Sequence, residues 1–397
     1  MDIQTIRWDT RHGWSSPLPA DHPDALVLVF ADPAVLDHPG RPLEDILRRF
    51  KRAAVIGCST TGQVAGDAVS DDSIVVTIAR FVRTQLNVVS VDVAHCGGAR
   101  RAGRTLGRAL RAPQLRGALV LSSGRAENTG VLAAGLADEL PSVFISGGVA
   151  GGHDQHLETW VIAEGRPRSG WATAVGFLGD HVEVGFGAGS GWDTYGHERV
   201  VTRSHAGVVY ELDSRPALAV YRDYLDVQGP GTPPNAADHP MSIRDLDDHR
   251  VVRRVLSVDD SAHSICFAGD VAQGSLAQIL KPSKARLIES AHDAAKQAST
   301  GREQLAIAIS CVGRRSTLGA RTADELHAVL EALHHGTALS GFYAESGMSL
   351  SGGACNVHNQ SMTITTISES PDSSMYASLD GSSTDAVSTI RTTEAAA

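Results

Sequence analysis

The sequence predicts an α/β protein: two tightly associated domains whose mixed sheets are covered by helices. Three observations lead there. At 397 residues the chain is about twice a common single-domain length. Short buried apolar runs alternate with amphipathic stretches through the first half. Past Leu157 the rhythm changes to strands separated by tight turns, a pattern that excludes a purely parallel, doubly wound sheet.

The elements follow in order. ALVLVF, from Ala25 to Phe30, is a buried strand bounded by Asp and Pro. PLEDILRRFKR, Pro42 to Arg52, has Leu43, Ile46, Leu47 and Phe50 at helical spacing, with Pro42 suited to the first turn. AAVIGC, SIVVTIARF, LNVVSVDV, GALVLSSG and SVFISGG are strands, and ARRAGRTLGRALRA and NTGVLAAGLADEL are helices. HLETWVIAEG, WATAVGFLG and HVEVGFGAGSGW then read as an antiparallel meander. VVYELDSRPALAVYRDYL is a strand followed by a helix, and VQGPGTPPNAADHP is a surface loop or junction. HRVVRRVLSVD and SICFAG are strands, KARLIESAHDAAKQA a helix, and QLAIAISC a buried strand. Thr322 and Glu325 have capping-box spacing at the start of another helix. QSMTITTI is the last strand, and from residue 370 to 397 the Ser/Thr/Asp/Ala-rich composition predicts a disordered tail.

Composition bounds the function. The net charge of −10, with no dense basic run, argues against nucleic-acid and anionic-membrane binding. No segment approaches the roughly 20 apolar residues of a membrane span, and the charged start is no signal peptide. The five cysteines, Cys58, Cys96, Cys266, Cys311 and Cys355, are scattered and fit a reducing, cytoplasmic setting. Seventeen histidines against four lysines invite a metal or haem reading. Spacing does not support a metal cluster: His153 and His156 flank Asp154, and His334 and His335 are adjacent, without further ligands nearby. P-loop, nucleophile-elbow and H-E-x-x-H motifs are missing.

Three loops carry the candidate chemistry. Ser59, Thr60, Thr61 and Gly62 follow a strand and offer N–H groups and hydroxyls to an anion, or simply form a capped turn. Gly147, Gly148 and Gly151 leave room for a ligand or for close backbone packing. The run from Gly341 to Gln360 gathers Phe342, Tyr343, His358 and Asn359, as ligand contacts or as hydrogen-bonding core residues. Arg314 is a candidate counter-charge for a ligand carboxylate.

The order of VIGCSTTG (Val55 to Gly62), SGGVAGG (Ser146 to Gly152), GSGWDTYG (Gly189 to Gly196), CFAGDVAQGS, ISCVGRRSTLG, GFYAESGMS and HNQSMTIT (His358 to Thr365) resembles the FIST family of bacterial sensory proteins. The resemblance implies a FIST N-type domain over 25–210 and a FIST C-type domain over 211–369. Two positions depart from the family pattern. Gln63 stands where an acid is usual, and Ala344 to Met348 lack the usual Tyr and Glu. The resemblance implies a non-enzymatic small-ligand sensor acting on a separate partner, such as a histidine kinase or a cyclic-di-nucleotide enzyme. One subgroup implies haem-based nitric-oxide sensing, for which His358 would be the axial metal ligand, ahead of His153, His205 and His335. The alternatives are an amino-acid or metabolite sensor without haem and an enzyme using Cys58, Ser59 or Cys311 as nucleophile.

Overall fold

The structure is a computed structural model. It describes residues 1–370 apart from 124–128, 153–157, 227–228, 234–235, 237–238, 246–249 and 352–353. The candidate ligands His153 and His156, and the expected tail from residue 371 onward, lie outside the described residues.

Among the described residues the strands form four sheets, three of them mixed. In the first, the fully buried strand Ala25–Ala31 runs parallel to Ala54–Ser59 and antiparallel to Ser73–Arg80. The parallel link is helix α1, Pro42–Arg49, which buries Leu43 and Ile46 against this sheet. The helix stops three residues short of the expected Arg52 because the chain turns back there. The Asp21 carboxylate accepts hydrogen bonds from the N–H groups of Lys51, Arg52 and Ala53 at 3.2, 2.9 and 3.0 Å. An unexpected strand, Asp2–Asp9, pairs with Ser73–Arg80 along its whole length.

The second sheet is centred on the parallel pair Leu115–Ser122 and Phe144–Val149, and is covered by α2 (Ala99–Leu110) and α3 (Thr129–Glu139). The third is centred on the parallel pair Leu305–Cys311 and Ala338–Ala344. It is covered by α5 (Lys284–Ala298) and α7 (Thr322–Ala332), after α4 (Ala217–Leu225) and α6 (Val312–Leu318) in chain order. The fourth is antiparallel, is built around the long strand Asp193–His205, and packs on α4.

The expected meander does not form. Val161–Ala163 joins the first sheet, Trp171–Leu178 the second and Val182–Gly189 the third. Turn residues signal that the chain reverses, but not that the next strand pairs with the last. Here the turn at Glu164 and Gly165 closes a hairpin of Val161–Ala163 with Arg166–Arg168, but the turns at Gly170 and Gly179 pass between packed sheets.

The halves exchange strands. Gln63–Ala65 pairs with Ala338–Ala344 in the third sheet, and Gly347–Ser351 pairs with Phe144–Val149 in the second. Val182–Gly189 pairs with Met362–Glu369 over eight residues. One core therefore spans all three mixed sheets, with Leu28, Phe30, Phe177, Ile309 and Phe342 in a single cluster. The segments 25–210 and 211–369 are thus interleaved in space.

On Val182–Gly189, the alternating glycines Gly185, Gly187 and Gly189 put their Cα atoms against the backbone of α5. A Cβ on each would stand 2.1 Å from Ala298 O, 1.9 Å from Ala294 O and 2.2 Å from Ser290 O.

The capping box is replaced by a different contact. Thr322 Oγ1 donates to Gly319 O at 2.7 Å, and Glu325 is fully buried on the inner face of α7. Its carboxylate binds Arg314 instead.

Buried carboxylates also close the chain on itself. Glu303 accepts hydrogen bonds from the N–H groups of His334 and Thr300 and from the Ser299 hydroxyl, at 2.7, 3.0 and 2.8 Å. Burial pushes its pKa up, but these bonds outweigh it and hold the pKa at about 2, below the ordinary 4.5. A carboxylate with a depressed folded pKa stabilises above its unfolded value and loses that stabilisation as pH falls through the folded one. Glu303→Gln is therefore expected to cost about 2–3 kcal/mol at neutral pH. Its deficit against the parent should close between pH 4.5 and about 2, read as melting temperature against pH. A pH-independent deficit would contradict this assignment.

Candidate functional site

The three parallel pairs end at one place. Thr60 N–H donates to Ala31 O at 2.9 Å, Thr61 N–H to Tyr343 O at 3.1 Å, Gly151 N–H to Ser59 O at 2.9 Å and Val149 N–H to Ser346 O at 2.9 Å. Carboxyl ends of parallel strands are where open α/β sheets bind ligands, because the following loops diverge there. A cleft of about 1020 Å³ opens at this point. Asp32, Thr61, Asp71, Asp72 and Gly152 line it from the first half of the chain, and Arg254, Arg315 and Glu345 from the second.

Two ion pairs bridge the cleft wall. Arg315 holds Asp71 through both guanidinium nitrogens at 2.7 and 2.6 Å, and also donates to Thr61 O. Its hydrogen bond to Asp71 raises the Arg315 pKa further. Arg254, brought in by the fourth sheet between Arg250–Arg253 and Val255–Asp259, holds Glu345 at 2.9 Å. Asp32 is buried and caps the turn after its strand, accepting from Ala34 N–H at 2.8 Å. Exposed Asp72 makes no ion pair among the described residues. The described wall thus carries four carboxylates, Asp32, Asp71, Asp72 and Glu345, against two guanidiniums, each already committed to one of them.

The predicted residues divide sharply. Thr61 lines the cleft. The N–H groups of Ser59, Thr60 and Thr61 are bound by the carbonyls of Trp160, Ala31 and Tyr343, so they form no anion cradle. Ser59 Oγ accepts from Trp160 N–H at 3.0 Å, and Thr61 Oγ1 donates to Tyr343 O at 3.0 Å. Gly62 has φ +141, and a Cβ there would meet Arg315 Nη1 at 2.5 Å. Gly147, Gly148 and Gly151 serve close packing: a Cβ on them would meet Val120 O at 2.0 Å, Ile309 Cγ2 at 3.0 Å and Thr61 N at 2.8 Å. Buried Gln63 joins Thr60 to Ser73 through its amide, which bonds both hydroxyls at 2.8 and 2.6 Å.

Arg314 is no counter-charge for a ligand. It is fully buried, binds Glu325 at 2.9 Å and donates to Leu287 O and Ser190 O. Its neighbour Arg315 reaches the cleft instead. Phe342 stacks on Phe30 at 4.7 Å inside the core, and Tyr343 donates its hydroxyl to Glu325 at 2.6 Å. Burial, the Glu325 charge and the Glu325 hydrogen bond push that phenol well above its ordinary pKa. Asn359 donates to Ala268 O at 2.8 Å, and Ala268 N–H donates to Arg254 O at 2.9 Å, so Asn359 braces the backbone at Arg254.

His358 is part-buried beside Phe186, and its Nε2 lies 2.7 Å from Ser349 Oγ. Burial and the Arg253 charge lower its pKa to about 4, so the ring is neutral. With Nε2 bonded to Ser349 and His358 in the strand Ala354–His358 paired with Gly347–Ser351, these surroundings do not fit an axial haem ligand. His205 and His335 are exposed. Cys58 is fully buried, and burial pushes its thiol well above the ordinary pKa, which disfavours the thiolate that a nucleophile needs. Cys311 is buried and points its thiol at Glu345 O, 3.8 Å away.

The family model of the FIST N domain matches residues 25–215, and that of the FIST C domain matches 217–346. The chain belongs to the FIST family. FIST domains are associated with small-ligand sensing in signal transduction. The cleft of this FIST protein lies where its two matched segments meet. No curated protein matches the chain. No helix among the described residues is long and apolar enough to cross a membrane.

Proposed function

We propose that this protein senses a small cationic or zwitterionic metabolite, such as an amino acid, bound in the cleft between Thr61, Arg254 and Arg315. A separate signalling partner, a histidine kinase or a cyclic-di-nucleotide enzyme, reads out the bound state. The surplus of wall carboxylates carries the reading. An amine placed near Asp72 gains a charged partner that Asp72 lacks among the described residues, while a ligand carboxylate competes with Glu345 for Arg254. Ligand binding in this way trades an internal ion pair for a ligand ion pair across the two halves, which couples occupancy to the shape of the cleft wall.

A thermal-shift titration with basic and neutral amino acids tests it. Stabilisation should grow with concentration, by about 2.7 kcal/mol at a hundredfold excess over Kd. Asp72→Asn should weaken binding of every amine by about tenfold, and Arg254→Ala should weaken only ligands that also carry a carboxylate. A flat response across the panel, or unchanged affinity in Asp72→Asn, would overturn the assignment.

A further inference from the structure

A second groove lies away from the cleft, along the outer side of α1. It has a volume of about 630 Å³ and an apolar lining that includes Leu36, Leu47 and Pro167. Leu36 is 44% exposed, although the chain has ample core in which to bury a leucine. The rim is net basic: Arg41, Arg48, Lys51 and Arg166 stand around it against one acid, Glu44, which Arg41 pairs at 3.3 Å. Arg48 pairs with Asp45 at 2.7 Å, whereas Lys51 and Arg166 make no ion pair among the described residues. In a protein of net charge −10, a basic apolar groove calls for an acidic apolar occupant.

The chain carries such a segment. Between Asp372 and Asp385 it holds Asp372, Asp380 and Asp385 with no basic residue, and Met375, Tyr376 and Leu379 lie between the acids. The described chain ends beside the segment that follows the strand Ser73–Arg80. Glu369 accepts the N–H groups of Val82, Arg83 and Thr84, each at 2.8 Å. Phe81 N–H donates to Asp24 O at 3.0 Å, and Asp21, three residues earlier, holds the N–H groups of Lys51 to Ala53. The tail thus departs beside the segment that anchors the Lys51 end of α1. At about 3.4 Å per residue, even the first ten residues of the tail reach about 34 Å.

From these observations we infer that residues 372–385 dock in cis on the α1 groove. Met375, Tyr376 and Leu379 cover Leu36 and Leu47, and the aspartates meet Lys51 and Arg166. This is an interaction surface distinct from the ligand cleft.

The scarcity of lysine gives a direct test. A carbodiimide joins a carboxylate to an amine at zero length, and the chain offers four lysines, Lys51, Lys281, Lys284 and Lys296, besides the α-amino group of Met1, which lies 3.8 Å from Glu369 and serves as an internal control for tail proximity. Treated at low concentration and mapped by mass spectrometry, the full chain should link tail aspartates to Lys51 within one molecule, in yield independent of concentration. Charge reversal by Arg48→Glu with Arg166→Glu leaves Lys51 as reporter and should cut that adduct by about tenfold. The far-UV spectrum of this variant should match the parent, since both positions are exposed. Equal linkage to Lys281, Lys284 and Lys296, no tail adduct, or an adduct insensitive to the charge reversal would overturn the inference. An adduct found only between chains and rising with concentration would overturn it in favour of a second copy.

Discussion

Arg314→Met is expected to lower the unfolding free energy by about 3–5 kcal/mol, the range for breaking a buried ion pair from one side. Arg314 and Glu325 both have fully buried side chains, and removing the guanidinium leaves Glu325 charged and enclosed. It also strips donors from Leu287 O and Ser190 O. Adding Glu325→Gln removes the stranded charge, so the double variant should be more stable than Arg314→Met alone. Urea midpoints at constant m-value measure both. A single-variant cost below about 1 kcal/mol, typical of an exposed pair, would refute the ion-pair account. Ligand response should weaken too, because Glu325 holds the Tyr343 hydroxyl and Tyr343 O holds Thr61.

The second large effect is expected at Gly187. Val182–Gly189 lies so close to α5 that a Cβ at Gly187 would sit 1.9 Å from Ala294 O. That atom is backbone, so no rotamer change relieves the contact. Gly187→Val must push the strand off the helix, and overpacking of this kind costs about 3 kcal/mol or more. Soluble yield and the urea midpoint report it. A variant as stable as the parent would show that α5 does not pack as described.

The sequence revealed elements whose burial has a local signature. Ala25–Ala31 is buried at every position, so its unbroken apolar run announced a strand enclosed on both faces. Asp2–Asp9 buries only Ile6 and Trp8, too few to show a period. Gln63–Ala65 is three residues long and owes its place to a partner far along the chain. The same limit governs the site. The loops at Thr61 and Gly151 stood out by composition, and they do meet. Yet the residues that give the cleft its charge, Asp72, Arg254, Arg315 and Glu345, come from separate elements that no local pattern joins. Arg314 and Arg315 differ by about 100° around a helix turn, and α6 was not expected, so nothing local tells the buried arginine from the accessible one. Glu325 illustrates the converse. Its spacing from Thr322 satisfied a capping rule, but that position faces inward, where Arg314 competes for the carboxylate more strongly than a helix end.

The exchanged strands have a consequence for synthesis. Thr61 is held by Tyr343, 282 residues further on. While the first half emerges from the ribosome, the edge of Phe144–Val149 that will receive Gly347–Ser351 stays open, and the cleft has only one wall. Ligand therefore cannot assist folding until the segment through Glu345 has been made. A chain cut between the two FIST segments leaves unpaired strand edges in place of a smaller sensor, and such edges invite aggregation.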